Sequence, residues 1–290
     1  MTRTGALALW LIAAQTTPAP AQALEVAHTA RAMTPGEVAR ITVRPTKPLS
    51  TLEGTWRGQT VLFFEDTTGS WQGLAPIDLD TPAGTYTLRL AARTREGHET
   101  EQRYLMRVLP RKFPSRHITV AEKFATPPVD EVARIEREQA LTDAIFATMT
   151  PERFWSAPFA APVPGASTSS FGRRSIVNGQ PRSPHSGTDF QAATGTPVTA
   201  PNRGRIVLAD DLYFPGRTVI IDHGAGVYSY LAHLSSIAVK NGDLVERGDR
   251  IGLSGATGRV TGPHLHWSLR VGKSRIDPLS LIAATASDSR

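Results

Sequence analysis

Glycine is distributed unevenly along this 290-residue chain, and 16 of its 24 glycines follow position 164. Short runs rich in β-branched and aromatic residues alternate with them, as at 204–208, 218–222, 227–231 and 267–271. Frequent glycine turns between short strands are typical of a compact all-β domain. The C-terminal part of the chain, residues 166–285, is therefore predicted to be a small antiparallel β domain.

The segment 24–112 is also predicted to form strands. At 85–90 the residues alternate, so that Tyr86, Leu88 and Leu90 share one face. Turn signals recur about every ten residues, a spacing that favours a small sandwich. We expect an immunoglobulin-like β-sandwich, in which no cluster of titratable side chains suggests chemistry.

A connector, residues 113–165, separates these two domains. Pro127-Pro128 precedes a predicted helix at about 130–148, with Asp130 as its cap. An apolar stripe on this helix is interrupted by polar residues and comprises Val129, Val132, Ile135 and Phe146. The pattern favours a docking or spacer helix. The predicted fold class is thus mostly β, with a short linker helix.

The first 23 residues have the features of a signal peptide. Arg3 supplies a positive charge, 6–14 form a short apolar core, and Ala21-Gln22-Ala23 is a small-x-small cleavage site. A frayed helix or an uncleaved anchor is the alternative. No run approaches the roughly 20 apolar residues of a membrane span, so we expect an exported chain without a span in its mature form.

Composition restricts the kinds of site that this chain can build. It contains no cysteine, so any metal ligands must be His, Asp or Glu. The formal net charge is +6, and a basic surface outside the cytoplasm suits an anionic polymer such as cell wall. The Lys and Arg residues are dispersed without a nucleic-acid motif, so nucleic acid is not an expected partner.

Five of the eight histidines lie between 185 and 266. His264 and His266 precede a strand-like run, and alternate residues of a strand share a face. Two adjacent imidazoles suit one metal, or one metal beside a proton donor. A solvated strand face carrying two surface histidines is the alternative.

His185 and Asp189 form a second pattern. In an extended strand their Cα atoms would lie about 13 Å apart, too far to hold one ion. A bend at Ser186-Gly187 is expected to bring both side chains to one point. An Asp oxygen with His nitrogens is a suitable catalytic zinc shell, with three protein ligands and one open position.

Six motifs in a fixed order carry a family resemblance. They are Phe171-Gly172-Arg173-Arg174, the run 185–190, Gly195-Thr196-Pro197-Val198, Asp222-His223-Gly224, Ala232-His233-Leu234-Ser235, and Gly255-Ala256-Thr257-Gly258 leading into 261–266. In this order, residues 170–281 closely resemble the lysostaphin-like, or LytM-type, zinc endopeptidases of peptidoglycan. This resemblance implies a zinc-dependent hydrolase of peptide bonds in peptidoglycan stem or cross-link peptides.

The resemblance also implies roles for individual residues. His185, Asp189 and His266 match the family's zinc ligands, and His233 and His264 match its two catalytic histidines. Family members often carry an aromatic residue two positions before the catalytic histidine. Here that position is Leu231, with Tyr230 just before it. The identity of one groove-wall group is therefore open.

Several alternatives remain at this stage. The chain could be a non-catalytic regulator of another cell-wall hydrolase, or a generic secreted protease. A periplasmic location is expected, with secretion as the alternative. The sandwich could target, dimerise or cover the groove. Arg173 and Arg174 could meet substrate carboxylates or be solvated, and His223 is expected to be structural.

Overall fold

The computed structural model describes residues 24–118, 127–156, 158–168 and 170–286. The predicted signal peptide, residues 1–23, lies outside these ranges. The described part consists mainly of β-strands, with two helices. Neither of these helices has the length and apolar content that crossing a membrane requires.

Seven strands form the N-terminal sandwich. They are β1 (Leu24–Thr29), β2 (Val38–Pro45), β3 (Leu49–Trp56), β4 (Gln59–Glu65), β5 (Trp71–Pro76), β6 (Gly84–Thr94) and β7 (Glu99–Val108). Their order is β1-β2-β5-β4-β3-β6-β7, with every pairing antiparallel. The first half of β4 pairs with β3 and its second half with β5, so β4 joins two sheets.

Buried and exposed side chains alternate along these strands, so the buried faces of the two sheets enclose one core. On β6, Leu88 and Leu90 are buried while Arg89 and Ala91 are exposed. Trp56 is completely buried, and its indole N–H donates to the Pro76 carbonyl at 2.6 Å. A buried indole nitrogen needs such a partner, because an unpaired polar group in a core is costly.

The C-terminal sheet contains nine strands. They are β11 (Gly187–Phe190), β12 (Pro197–Thr199), β13 (Gly204–Leu212), β14 (Gly216–Asp222), β15 (Val227–Ile237), β16 (Leu244–Val245), β17 (Arg250–Ser254), β18 (Leu265–Val271) and β19 (Ser274–Ile276). The main path runs β11-β18-β15-β14-β13-β16. Trp267, Leu265 and Leu269 of β18 are completely buried in its core. The expected fold class is confirmed, since both domains are β-rich.

The connector contributes β8 (Ser115–Ile118) and helix α1 (Val129–Ala147), and the C-terminal domain begins with β9 (Arg174–Val177) and β10 (Gln180–Pro181). Helix α1 starts after Pro128 without a side-chain cap, so the prediction that Asp130 caps it is wrong. The predicted stripe is also wrong at its start, because Val129 is 91% exposed. Both halves of α1 contact the C-terminal sheet, since Glu138 accepts from the Tyr213 N–H at 2.7 Å and Phe146 packs against Tyr228 and Tyr230.

The sandwich and the C-terminal sheet share an interface rich in specific contacts. Arg31 pairs with Asp277 at 2.6 Å, and the Val38 N–H donates to Ser280 Oγ at 2.8 Å. Ser280 lies in helix α2 (Pro278–Thr285), which follows β19. Val38 is itself part of the C-terminal hydrophobic core. The two domains are therefore packed against each other as well as joined by the connector.

Gly36 is a point where this interface tolerates no side chain. Its φ is +86°, and an added Cβ would overlap the ring of Phe171. We expect Gly36→Ala to lower the free energy of unfolding by about 2–4 kcal/mol, from backbone strain plus overpacking. Urea unfolding of the full chain measures this loss.

Gly58 supplies the matched control for that substitution. It also has a positive φ, +76°, but an added Cβ would meet nothing within 4 Å. Gly58→Ala should therefore cost only the backbone strain, about 1 kcal/mol. Equal losses in the two variants would show that Phe171 moves aside and that the close approach is not important.

Candidate metal centre and substrate groove

Three neighbouring strands bring the sequence-predicted site residues together. Asp189 of β11 lies opposite His266 of β18, and His266 lies opposite Ala232 of β15. His233 follows Ala232 on β15, and His264 directly precedes β18. Strand pairing between distant parts of the chain thus collects one carboxylate and three imidazoles, and His185 joins them from the segment before β11.

Gly187 is required here by close packing rather than by its backbone angles. An added Cβ would lie 2.6 Å from Ser268 Oγ and 2.7 Å from the His266 ring. Since Gly187 pairs with Ser268 across the β11–β18 ladder, a larger residue would push the strands apart. The glycine therefore allows the His266 ring to lie close to the start of β11.

His185, Asp189 and His266 form a compact cluster of donor atoms. One donor atom from each lies within 4.8 Å of the other two. Asp189 Oδ1 is 3.1 Å from His185 Nε2 and 3.0 Å from His266 Nδ1. Two imidazole nitrogens and a carboxylate oxygen are the ligands that zinc uses in catalytic sites. In their chemistry and spacing, these three residues fit a single zinc ion.

The electrostatics of the cluster favour the ligand protonation states. Burial opposes ionisation of Asp189, but hydrogen bonds with His185 and His266 outweigh it and hold its pKa well below the usual range. Burial lowers the pKa of His266, although its hydrogen bond to Asp189 acts in the opposite direction. At neutral pH the cluster presents an ionised carboxylate and a neutral His266, as metal binding requires.

Ser268 orients the His266 ring from behind. His266 Nε2 lies 2.8 Å from Ser268 Oγ, two residues further along β18. With Nδ1 directed at Asp189, a proton on Nε2 can be donated to this hydroxyl. Such a partner fixes the tautomer and the ring plane of a metal-binding histidine. The i, i+2 spacing in the sequence is the signal for it, since the two side chains share a strand face.

His233 adopts a rare backbone conformation that directs its ring into the site. Its φ is +64°, in the left-handed region that non-glycine residues seldom occupy. The register of β15 shifts close to this residue on both of its neighbours, β14 and β17. Its Nδ1 donates to the Thr257 carbonyl at 3.0 Å, which leaves Nε2 as the acceptor. Strain of this kind is characteristic of functional positions.

His264 is held in a similar way beside it. Its Nδ1 donates to the Gly262 carbonyl at 2.8 Å, and its Nε2 lies 3.7 Å from Asp189 Oδ1. The His233 and His264 ring centroids are 4.9 Å apart. Burial, together with the neighbouring His266 and His264, lowers the pKa of His233 to about 4. Two imidazoles with free Nε2 atoms therefore stand next to the three-residue cluster.

These five residues lie in an open groove of about 1100 Å³. One wall is helix α1, which contributes Ile135, Gln139 and Phe146. Among the described residues that line the groove, none belongs to strands β1–β7. In the part of the chain that the structure describes, the C-terminal domain supplies most of the groove lining, and the connector but not the sandwich adds to it.

Of Tyr230 and Leu231, the two residues considered for the groove-wall position, Tyr230 is the one that faces the groove. It lines the groove, whereas Leu231 is completely buried in the core. The neighbouring residues Arg173 and Arg174 lie in different surroundings. Arg173 lines the groove, and Arg174 lies 3.5 Å from Asp80 of the sandwich.

His223 has no part in this site. It is completely buried, with Nδ1 donating to the Arg203 carbonyl and Nε2 2.9 Å from Ser229 Oγ. Burial lowers its pKa to about 4, so the ring is neutral. This agrees with its interpretation as a structural residue.

Comparison with known proteins places this groove in a family. The model of peptidase family M23 matches residues 183–278, which include the cluster of His185, Asp189 and His266 with His233 and His264. A crystal structure described as a peptidase M23 from Pseudomonas aeruginosa matches 88% of this chain and 97% of its own. The two sequences are 32% identical, and the TM-score of the superposition is 0.69.

The curated relatives match about a third of this chain. The peptidoglycan DD-endopeptidase ShyA of Vibrio cholerae is 51% identical over 88 residues, covering 30% of this chain and 20% of ShyA. A Haemophilus influenzae protein described as a metalloprotease is 42% identical over 110 residues, which cover 38% of this chain and 23% of that protein. This chain thus spans less than a quarter of either relative. Because the Pseudomonas aeruginosa structure matches through both domains, the chain belongs to peptidase family M23.

Proposed function

We propose that this protein is a zinc-dependent endopeptidase that hydrolyses peptide bonds in the cross-links of peptidoglycan. The observation that carries the proposal is the cluster of His185, Asp189 and His266 in an open groove, with His233 and His264 beside it. A catalytic zinc site differs from a structural one in keeping a position for water or substrate. Three protein ligands at the floor of a groove satisfy that requirement.

The names of the relatives support the substrate. ShyA is named a peptidoglycan DD-endopeptidase, and the Haemophilus influenzae relative is named a metalloprotease. We transfer the bond type from ShyA, so the proposed target is the cross-link that joins D-alanine to the next stem peptide. The basic net charge of +6 suits an anionic wall polymer.

The chain's own residues supply binding and proton transfer. His185 through Nε2, Asp189 through Oδ1 and His266 through Nδ1 would hold the metal. When bound, zinc supplies a Lewis acid that acidifies water near neutral pH and polarises a carbonyl group. His233 and His264 each keep Nε2 free to take a proton from the attacking water. Once protonated, the same nitrogen can stabilise a developing oxyanion or protonate the leaving amine.

Location follows from the same proposal. A peptidoglycan hydrolase meets its substrate outside the cytoplasm, and residues 1–23 have the pattern of a cleavable signal. We therefore propose an exported, periplasmic enzyme. Secretion into the medium is the alternative.

Digestion of purified sacculi tests the function. The full chain loaded with zinc is expected to convert cross-linked muropeptides into monomers, as seen by mass spectrometry, and to leave casein intact. Removing the metal with a chelator should stop the reaction, and added zinc should restore it. Casein cleavage without muropeptide release would point to a generic protease. Wall binding without any hydrolysis would point to a regulator of another hydrolase.

A further inference from the structure

Arg259 is a cation in the groove that the zinc cluster and the catalytic histidines do not use. It lies in the loop between β17 and β18, and its side chain lines the same groove as His233 and His264. Its guanidinium carbon lies 4.2 Å from the centroid of the Phe214 ring. Its backbone N–H donates to the Phe214 carbonyl at 2.8 Å. Two contacts with one residue therefore hold Arg259 in place.

The loop that carries Arg259 also orients His233. The Thr257 carbonyl accepts from His233 Nδ1, and Thr257 Oγ1 donates to the Leu234 carbonyl at 2.8 Å. Only Gly258 separates Thr257 from Arg259 in the chain. The guanidinium is thus fixed relative to the site of bond cleavage, as a substrate-positioning group must be.

The acidic side chains of the groove are engaged elsewhere. Glu138 pairs with Arg134 at 2.7 Å, Asp143 accepts from the Gln139 amide at 2.9 Å, and Asp189 contacts the histidines. Arg259 has no salt bridge within the described ranges. Partial burial and the neighbouring Arg182 cation lower the pKa of its guanidinium, in keeping with a positive charge that no carboxylate within the described ranges compensates. An anionic group entering the groove would supply that compensation.

We propose that Arg259 binds a carboxylate of the substrate peptide and thereby sets the position of the scissile bond. The inference deepens the proposed function, since peptidoglycan stem peptides carry free carboxylates beside their cross-links. A guanidinium offers a planar pair of N–H donors that matches a carboxylate. Stacking on Phe214 occupies one face of that plane, so the N–H edges remain available to the groove.

Two matched substrates test this assignment. One is a purified cross-linked stem-peptide dimer with free carboxylates, and the other is the same dimer with those groups converted to carboxamides. We expect the zinc-loaded wild type to prefer the free acid by about 10- to 100-fold in kcat/KM, mostly through KM. Arg259→Ala should remove the preference and keep the rate on the amidated dimer. Arg259→Lys should retain only part of the preference, because a point charge cannot bind as a fork.

Arg205→Ala is the control for loss of one positive charge, since Arg205 is exposed on β13 outside the groove. It should behave as wild type. If Arg259→Ala lowers the rates on both dimers equally, or leaves the preference intact, the carboxylate role is wrong. Calorimetric binding of the uncleaved dimers to His264→Ala, with and without Arg259→Ala, gives a readout independent of hydrolysis. Should wild type cut neither dimer, the proposed function fails, while loss or retention of this binding preference still decides the role of Arg259.

Discussion

The His266→Ala variant is expected to lose both bound zinc and hydrolysis of peptidoglycan. His266 is one of the three proposed ligands, and its Nδ1 lies 3.0 Å from Asp189 Oδ1 at the centre of the cluster. Two remaining ligands hold zinc too weakly to survive dialysis. Since a Lewis acid contributes several kcal/mol to stabilising the transition state, we expect a loss of about three orders of magnitude in rate. Elemental analysis and muropeptide release measure the two effects.

The control is a histidine far from the groove. His98 is exposed in the sandwich, between β6 and β7, so His98→Ala should keep both zinc and activity. Circular dichroism establishes whether the His266→Ala protein is folded. A folded His266→Ala protein that keeps one equivalent of zinc would remove His266 from the ligand set.

The His233→Ala variant is expected to differ from His266→Ala in one respect, since it should lose turnover but keep its zinc. His233 is not among the three clustered ligand residues, and its Nε2 is free because Nδ1 donates to the Thr257 carbonyl. Removing a general acid or base typically lowers the rate by about 10²- to 10⁴-fold. Zinc content close to one equivalent, measured in the same sample, separates this loss from loss of the metal.

The backbone at His233 calls for a second substitution. Its φ of +64° is unfavourable for alanine but is tolerated by asparagine. His233→Asn should therefore keep the local fold and still lack proton transfer. If both variants turn over substrate at the wild-type rate, His233 has no catalytic role. If only the alanine variant is impaired, the residue matters through its conformation.

Much of the site was predictable because strand geometry is regular. Alternation along a strand predicts that His266 and Ser268 share one face and that Leu265 and Trp267 lie on the other, and the structure shows this arrangement. The sequence predicts that His185 and Asp189 meet through a bend at Ser186-Gly187; the two side chains do meet, but Gly187 is already part of β11. The family motifs then related these positions to His233, which no local pattern connects to them.

Other features depend on contacts between distant parts of the chain. The wall formed by α1 could not be predicted, because its apolar stripe is partly exposed and the helix docks through contacts with distant residues, such as Glu138 with the Tyr213 N–H and Phe146 with Tyr228. The uncompensated charge of Arg259 depends on Phe214 and on where the groove carboxylates are engaged. Asp130 was an acceptable cap by residue type, but Pro128 occupies the cap position. Such outcomes depend on tertiary packing that a local pattern does not contain.

An anomalous-diffraction map at the zinc edge, from crystals of the zinc-loaded full chain, tests the central claim most directly. The account predicts one strong peak in the groove, about 2.0–2.2 Å from His185 Nε2, Asp189 Oδ1 and His266 Nδ1. The Nε2 atoms of His233 and His264 should lie near the peak without ligating it. A peak bound by other residues, or three cluster side chains without a shared ion, would contradict the account.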